Sequence, residues 1–308
     1  MSSALQNQGI VKTAVGKANW QTVSENPSPR AKGNTLLGCD FAGIVVEVGK
    51  DVRKGWKRGD GIAGVAHGGN DIEPEDGTFA SYIMVKGDVA FHIPPSISFE
   101  QASSLGCGVT TVASATGTLA IQFARLSGLE VITTSSPRNF QLLKDLGADH
   151  VLDYKSSSLT PGSIAPLAEL IFVLSLETNF TTCLTRLLLH LAPRFCADAL
   201  STSADNLYVN LMGVEMPRDD VKNVFFLGYS VTGEEYEIEG DIWPAASEDF
   251  ELGKKIFTLL EGLLENGLIR NHPLRIMNGG LAGILEGLRE MKEGKVSGEK
   301  LVYRIGEQ

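Results

Sequence analysis

The chain has 308 residues, 43% of them apolar and 21% charged, the values of a globular protein with core enough for two domains. A formal net charge of -10 argues against nucleic acid as a partner, and the densest basic run, residues 50–58, is broken by Asp51 and Gly55 and reads as a solvated turn. No apolar run reaches membrane-spanning length, no long basic amphipathic helix suits a membrane surface, and residues 1–13 lack the charged head and apolar core of a signal peptide, so a cytoplasmic protein is expected.

Residues 1–36 carry little signal: 11–20 alternate weakly, and 25–34, rich in Pro, Ser and Lys, read as loop. From Gly38 the pattern sharpens. Residues 42–48 are β-rich, and Gly49, Gly55, Gly59, Gly61 and Gly64 punctuate short strands, as a small barrel needs at its bends. Residues 78–85 predict another strand, and Pro94-Pro95 stops regular structure. A helix is predicted over 98–105, with Ser98 and Gln101 spaced as a capping box. Beyond Thr118 the period switches to 3.6, and Leu119, Ile121, Phe123, Ala124 and Leu126 predict an amphipathic helix ending at Gly128.

A strand over 130–134, a helix over 139–146 and a strand over 150–154 follow, the alternation of a parallel sheet. Further strands are predicted at 169–174, 195–199 and 224–229, helices at 181–191, 248–265 and 281–291, and a terminal strand in the closing SGEKLVYRI. The fold class is α/β.

A dinucleotide fold needs a tight turn of small residues where phosphates meet the backbone N–H groups at a helix start. Ser114, Ala115, Thr116, Gly117 and Thr118 offer one, although it is not GxGxxG and equally suits an ordinary strand–helix turn. About 20 residues further on, an NAD site carries an acid for the ribose hydroxyls. Here Thr133 to Asn139 (TTSSPRN) holds no acid but a cation and several donors, which suits a ribose 2′-phosphate and favours NADP over NAD. Capping of the next helix by residues 136–139 is a compatible reading.

Zinc needs three or four converging ligands. Cys39, Cys107, Cys183 and Cys196 form no CxxC pair, and His67, His92, His150, His190 and His272 are scattered, so hydride chemistry with no metal is expected. No catalytic acid is assigned. His67 and Lys86 qualify by polarity alone, and both are expected at the surface.

These motifs together resemble the medium-chain dehydrogenase/reductases, in the zinc-independent quinone and enoyl reductase branch. The nearest likeness is to the fungal trans-acting enoyl reductases that partner polyketide synthases. Gly38-Cys39-Asp40-Phe41-Ala42-Gly43, Val48-Gly49, Gly59-Asp60, Gly77-Thr78-Phe79-Ala80-Ser81-Tyr82 and the stretch from Ile93-Pro94 to Gln101-Ala102 match the family's catalytic domain. Ser114 to Thr118, Thr134 to Phe140, Leu146-Gly147-Ala148-Asp149 and Asp153-Tyr154 match its cofactor half, and His272 to Arg275, Gly279-Gly280 and Lys295 to Val302 its tail.

The resemblance implies a GroES-like, mainly β catalytic domain over 1–107, a Rossmann-like NADP-binding domain over 108–240 and a segment over 241–308 returning to the first, with the nucleotide in the cleft between domains. It places Ser114, Thr116 and Gly117 at the pyrophosphate, Ser136, Arg138 and Asn139 at the 2′-phosphate and Tyr154 beside the adenosine. Leu227 and Gly228 fall near the nicotinamide ribose, and Ser297 and Lys300 on the element returning to the cofactor. The implied reaction is NADPH-dependent reduction of an α,β-unsaturated carbonyl, free or carrier-bound, with a polyketide synthase as partner. Quinone reduction is one alternative, and a non-catalytic protein that keeps cofactor or partner binding is another. Monomer and homodimer stay open.

Two departures from the family bear on activity. The strands that open family members before the GCDFAG segment, with their Asn-Pro loop, are expected to be missing, because residues 26–29 pass almost directly into 34–37. Between Ala113 and Ser114 the family carries a helix, a long loop and its first Rossmann strand. Residues 109–113, rich in Val and Thr, are therefore expected to form a strand in the vacant sheet position, and turnover is expected to be weak or absent.

Overall fold

The computed structural model describes residues 8–14, 17–22, 35–110, 117–153, 155–156, 174–175, 197–198, 200, 207–210, 213–238 and 240–305. The chain divides into two compact units, one of residues 1–110, 228–290 and 299–308, the other of residues 111–227 and 291–298.

The first unit opens with an antiparallel sheet of β1 (Gln8–Ala14), β2 (Lys17–Thr22) and β3 (Thr35–Leu36), in the order β2-β1-β3. The expectation that opening strands are missing is thus corrected: the weak alternation of 11–20 is that of a hairpin. A second antiparallel sheet follows, β4 (Asp40–Ile44), β5 (Gly61–Val65) and β6 (Ala90–His92). Phe41, Val45, Trp56, Ile62 and Ala90 pack together against it. Burial of each large side chain contributes roughly 1.5–3 kcal/mol. The strand predicted over 78–85 does not form. Thr78 and Phe79 instead donate backbone hydrogen bonds to Gly38 and Leu37, which spends their ladder on the turn before β4.

α1 (Phe99–Ala102) carries the predicted capping box: the Gln101 N–H donates to Ser98 Oγ, and the Ser98 N–H to Gln101 Oε1. α2 (Gly106–Thr110) comes next. A Cβ on Gly106 would lie 1.8 Å from the carbonyl oxygen of Gly64, so only glycine lets α2 rest directly on β5. Val109 and Thr110 are buried in this helix and do not begin a strand.

In the second unit, α3 (Gly117–Leu126) ends as predicted at Gly128, whose φ of 77° closes the helix. β7 (Ile132–Ser135), α4 (Phe140–Asp145) and β8 (His150–Asp153) complete the alternation. Ala120, Ile121 and Ala124 of α3 pack on Val131, Leu143 and Ala148. β7 lies between β8 and β9 (Leu174–Ser175), parallel to both. Both edges of β7 are therefore taken, and the position expected for residues 109–113 belongs to β9. The reason is local: Val109 N–H already bonds to Leu105 O, which commits Val109 and Thr110 to helix, and residues 111–113 lie outside the described residues.

β10 (Leu207–Asn210) and β11 (Lys222–Phe225) form a separate parallel pair. Ala197 and Asp198 are helical where a strand was predicted, and β11 stops at Phe225, before a 3-10 turn over Gly228–Thr232. The predicted helix at 181–191 lies outside the described residues. The first unit then resumes with the hairpin β12 (Tyr236–Ile238) and β13 (Asp241–Trp243) and the long helix α5 (Ser247–Glu265). The parallel pair β14 (Leu274–Met277) and β15 (Lys300–Tyr303) flanks α6 (Gly280–Lys292) in sequence.

Candidate functional site

Each unit holds a cluster of polar side chains. In the second, the chain leaves β7 through Ser136, extended at φ -71° and ψ 146°, and enters a 3-10 turn over Pro137–Asn139. Ser136 and Asn139 hold the cap positions of that turn and of α4, yet neither side chain makes a capping hydrogen bond. Asn139 Nδ2 instead reaches Ser136 Oγ at 3.5 Å. Arg138 donates to Ser297 Oγ, and a Cβ on the adjoining Gly298 would sit 3.3 Å from Asn139 Oδ1.

The C-terminal segment thus returns to the end of β7, and Ser136, Arg138, Asn139 and Ser297 meet there. None of the four is a carboxylate, and Arg138 and Ser297 are exposed. A guanidinium has five N–H donors, so a single serine contact leaves most of its fork available. Beside them the Ser135 hydroxyl is buried with no hydrogen-bond partner among the described residues. One cation, spare donors and no acid fit a phosphate on the ribose better than a bare diol.

In the first unit, Gly38 adopts φ 95° and turns the chain so that Cys39 and Asp40 begin β4. Cys39 Sγ lies 3.4 Å from the Tyr229 hydroxyl. The Tyr229 ring stacks on His67 with centroids 3.8 Å apart, and Tyr236 meets His67 edge-on. Asp40 Oδ2 accepts from Lys300 Nζ at 2.9 Å and Oδ1 from the Cys107 N–H at 2.6 Å, while Lys300 also donates to Ser104 O.

Burial pushes the Cys39 thiol up, with its bond to Tyr229 pulling the other way. Burial, then the nearby Cys39, pushes the Tyr229 phenol above its ordinary range. Burial alone would lower Lys300, but the Asp40 carboxylate outweighs it and the ammonium is held. His272, buried and close to Lys300, falls to about 4.

The sequence-predicted residues divide accordingly. Ser136, Arg138, Asn139 and Ser297 come together. Lys300 belongs to the first unit's cluster, tied to Asp40. Gly117 opens α3 and is buried, Leu227 is half-buried, and Gly228 is buried where a Cβ would meet Thr110 O at 2.9 Å. Ser114, Thr116 and Tyr154 lie outside the described residues.

His67 corrects an expectation. It is 5% exposed, because the Tyr229 ring covers it, whereas Lys86 is at the surface and pairs with Glu234. Tyr229 went unnoticed in the sequence, where 224–229 reads as one strand; only its place after Leu227-Gly228 hinted at a role. Among the described residues no three or more His, Cys, Asp or Glu side chains converge as a metal site, and no helix is long and apolar enough to cross a membrane.

One unit with a parallel sheet and a cationic residue at the end of β7, and another built mainly on antiparallel sheets, are the two parts of a medium-chain dehydrogenase/reductase. The alcohol dehydrogenase GroES-like domain model matches residues 9–95. Trans-enoyl reductase resD of Aspergillus sclerotiorum is 33% identical over 96% of this chain and 92% of its own length. Trans-enoyl reductase ACTTS2 of Alternaria alternata is 36% identical over 96% and 90%. The chain belongs to this trans-enoyl reductase family, in the zinc-independent enoyl and quinone reductase branch of the superfamily.

The alignment with the first relative spans 338 positions against 308 residues here, so this chain lacks segments that the relative carries. Two solved structures share the fold. CurK enoyl reductase is 16% identical with a TM-score of 0.67, over 96% of this chain and 100% of that one. The quinone oxidoreductase of Pseudomonas syringae pv. Tomato DC3000 is 17% identical with a TM-score of 0.63, over 96% and 99%.

Proposed function

We propose that this protein reduces the α,β-double bond of an enoyl thioester with NADPH, taking its substrate in trans from a carrier of a polyketide-type synthase. One observation carries the cofactor half: Ser136, Arg138, Asn139 and Ser297 converge, the capping bonds of Ser136 and Asn139 are unmade, and no acid is among the four. The relatives' activity, trans-enoyl reduction, carries the substrate half.

Bound NADPH supplies the hydride. Ser136, Arg138, Asn139 and Ser297 hold its 2′-phosphate, and Ser114, Thr116 and Gly117 its pyrophosphate. Tyr154 flanks the adenosine, and Leu227 and Gly228 serve the nicotinamide ribose. Lys300 acts indirectly, by fixing Asp40 and the start of β4. The presence of β1 and β2 removes one of the two grounds for expecting weak turnover.

The test is direct. The protein is incubated with NADPH and a crotonyl or 2-methylcrotonyl thioester of pantetheine, and the product is read by mass. A gain of two hydrogens, matched by NADPH consumption and much weaker with NADH, is expected. Saturating NADPH binding without saturated product would overturn the enzymatic reading.

A further inference from the structure

Reduction of an enoyl thioester needs a proton as well as a hydride, and the sequence offers no obvious donor. Several described proton-bearing groups of the first unit are committed. The Lys300 ammonium is spent on Asp40 Oδ2 and Ser104 O, both at 2.9 Å. Lys86 pairs with Glu234 and Lys54 with Glu261. His67 lies beneath the Tyr229 ring, and His272 is buried.

Tyr229 differs in three respects. Its side chain is half-buried. Its hydroxyl meets a thiol, Cys39 Sγ at 3.4 Å, and sulfur is a weak acceptor, so the O–H can be redirected at little cost. Its ring is clamped, stacked at 17° on His67 and met by Tyr236 at 63°, and the preceding Gly228 has no room for a Cβ against Thr110 O. A rigidly aimed hydroxyl with a weak partner is the geometry a proton donor requires.

We propose that Tyr229 is the catalytic acid, delivering its phenolic proton to the α-carbon of the substrate. This rests on the enoyl-reductase reading above. Hydride addition at the β-carbon moves the double-bond electron pair onto the thioester as an enolate. The O–H bond of Tyr229 then breaks as a C–H bond forms at the α-carbon, leaving a phenolate. Cys39 returns a proton through the existing hydrogen bond, and its thiolate is reprotonated by water. No oxidant or reductant beyond the nicotinamide is needed.

Tyr229→Phe keeps the ring stack and removes the proton. Turnover is expected to fall by about 10²–10⁴-fold, the usual contribution of a general acid, with the KM for NADPH and the unfolding midpoint unchanged. Cys39→Ala keeps the donor but removes its relay, and a larger solvent deuterium isotope effect on kcat is expected; this variant decides the matter if the first folds poorly. Turnover of Tyr229→Phe equal to the parent's, or an unaltered isotope effect in Cys39→Ala, would overturn the assignment while leaving the enoyl-reductase reading intact. Absence of enoyl reduction by the parent chain would overturn both.

Discussion

Arg138 donates a hydrogen bond to the hydroxyl of Ser297, a residue 159 positions further along the chain. This contact joins the loop after β7 to the segment before β15 and fills one side of the guanidinium fork. The serine therefore orients the cation and leaves its remaining donors outward. A phosphate approaching the fork meets a pre-set group, which lowers the ordering cost of binding.

Replacing Arg138 with Ala should weaken NADP binding by about 1.5–3 kcal/mol, the range for a hydrogen bond to a charged group. That is roughly a 10- to 150-fold rise in Kd. NAD, which has no 2′-phosphate, should bind the variant and the parent alike. Calorimetric titration with both nucleotides checks this, and equal NADP affinity in the two proteins would remove Arg138 from the site.

Asp40→Asn isolates the role of Lys300. The substitution leaves a largely enclosed ammonium without its carboxylate and should cost about 1.5–3 kcal/mol of folding free energy. Since Lys300 is tied to Asp40 within the first unit, NADP affinity should not change. Denaturant unfolding and nucleotide titration of the same sample separate the two outcomes. A loss of affinity at unchanged stability would return Lys300 to the cofactor.

A half-buried and a buried group give stability opposite slopes with pH. Asp76 is raised to about 6 by burial, against the pull of its Asn70 hydrogen bond and Lys86, with Glu234 and Glu73 adding to the rise. The folded state holds that proton up to about pH 6 and the unfolded state loses it near 3.8, so stability falls as pH rises between them. His272 is lowered to about 4 by burial and by Lys300. Its contribution is complete above its ordinary value of 6.5 and is lost as pH falls towards 4. Asp76→Asn should raise the unfolding free energy above pH 6, by at most about 3 kcal/mol, and have no effect near pH 4. His272→Gln should flatten the acid limb. A parallel shift at all pH values in either variant would contradict these assignments.

The capping box gives a local check. Ser98→Ala removes the acceptor for the Gln101 N–H and should cost about 1 kcal/mol, measurable by thermal unfolding. A change within error would mean that the short α1 is held by Ala102 and its neighbours rather than by its cap.

Much of this was legible in the sequence where one short-range rule governs. Ser98 and Gln101 announce a cap, Leu119 to Leu126 a helical stripe, and Gly128 its end, because each depends on residues within one or two turns. The Arg138 cluster was readable as chemistry, although its fourth member, Ser297, came from resemblance to the family. His67 was misplaced because a lone histidine carries no period; a tyrosine 162 positions away decides its burial. The strand predicted over 78–85 failed for a similar reason, since its hydrogen bonds were claimed by Gly38 and Leu37 from outside any local window.

The seating of β9 against β7 says something about how such a chain tolerates editing. In an antiparallel sheet, removing one strand brings together two neighbours of the same polarity, and the alternating ladder must be rebuilt. In an all-parallel sheet every strand points the same way and the bonds are evenly spaced, so the strands on either side of a deletion can close ranks without reversing direction. Thr133 and Thr134 meet Leu174 and Ser175 in parallel register, the pairing that such a closure would use. A gene that loses a central parallel strand can therefore keep a continuous sheet, and with it the loop that carries Arg138, so that the loss acts on the reach of the bound nucleotide before it acts on the fold.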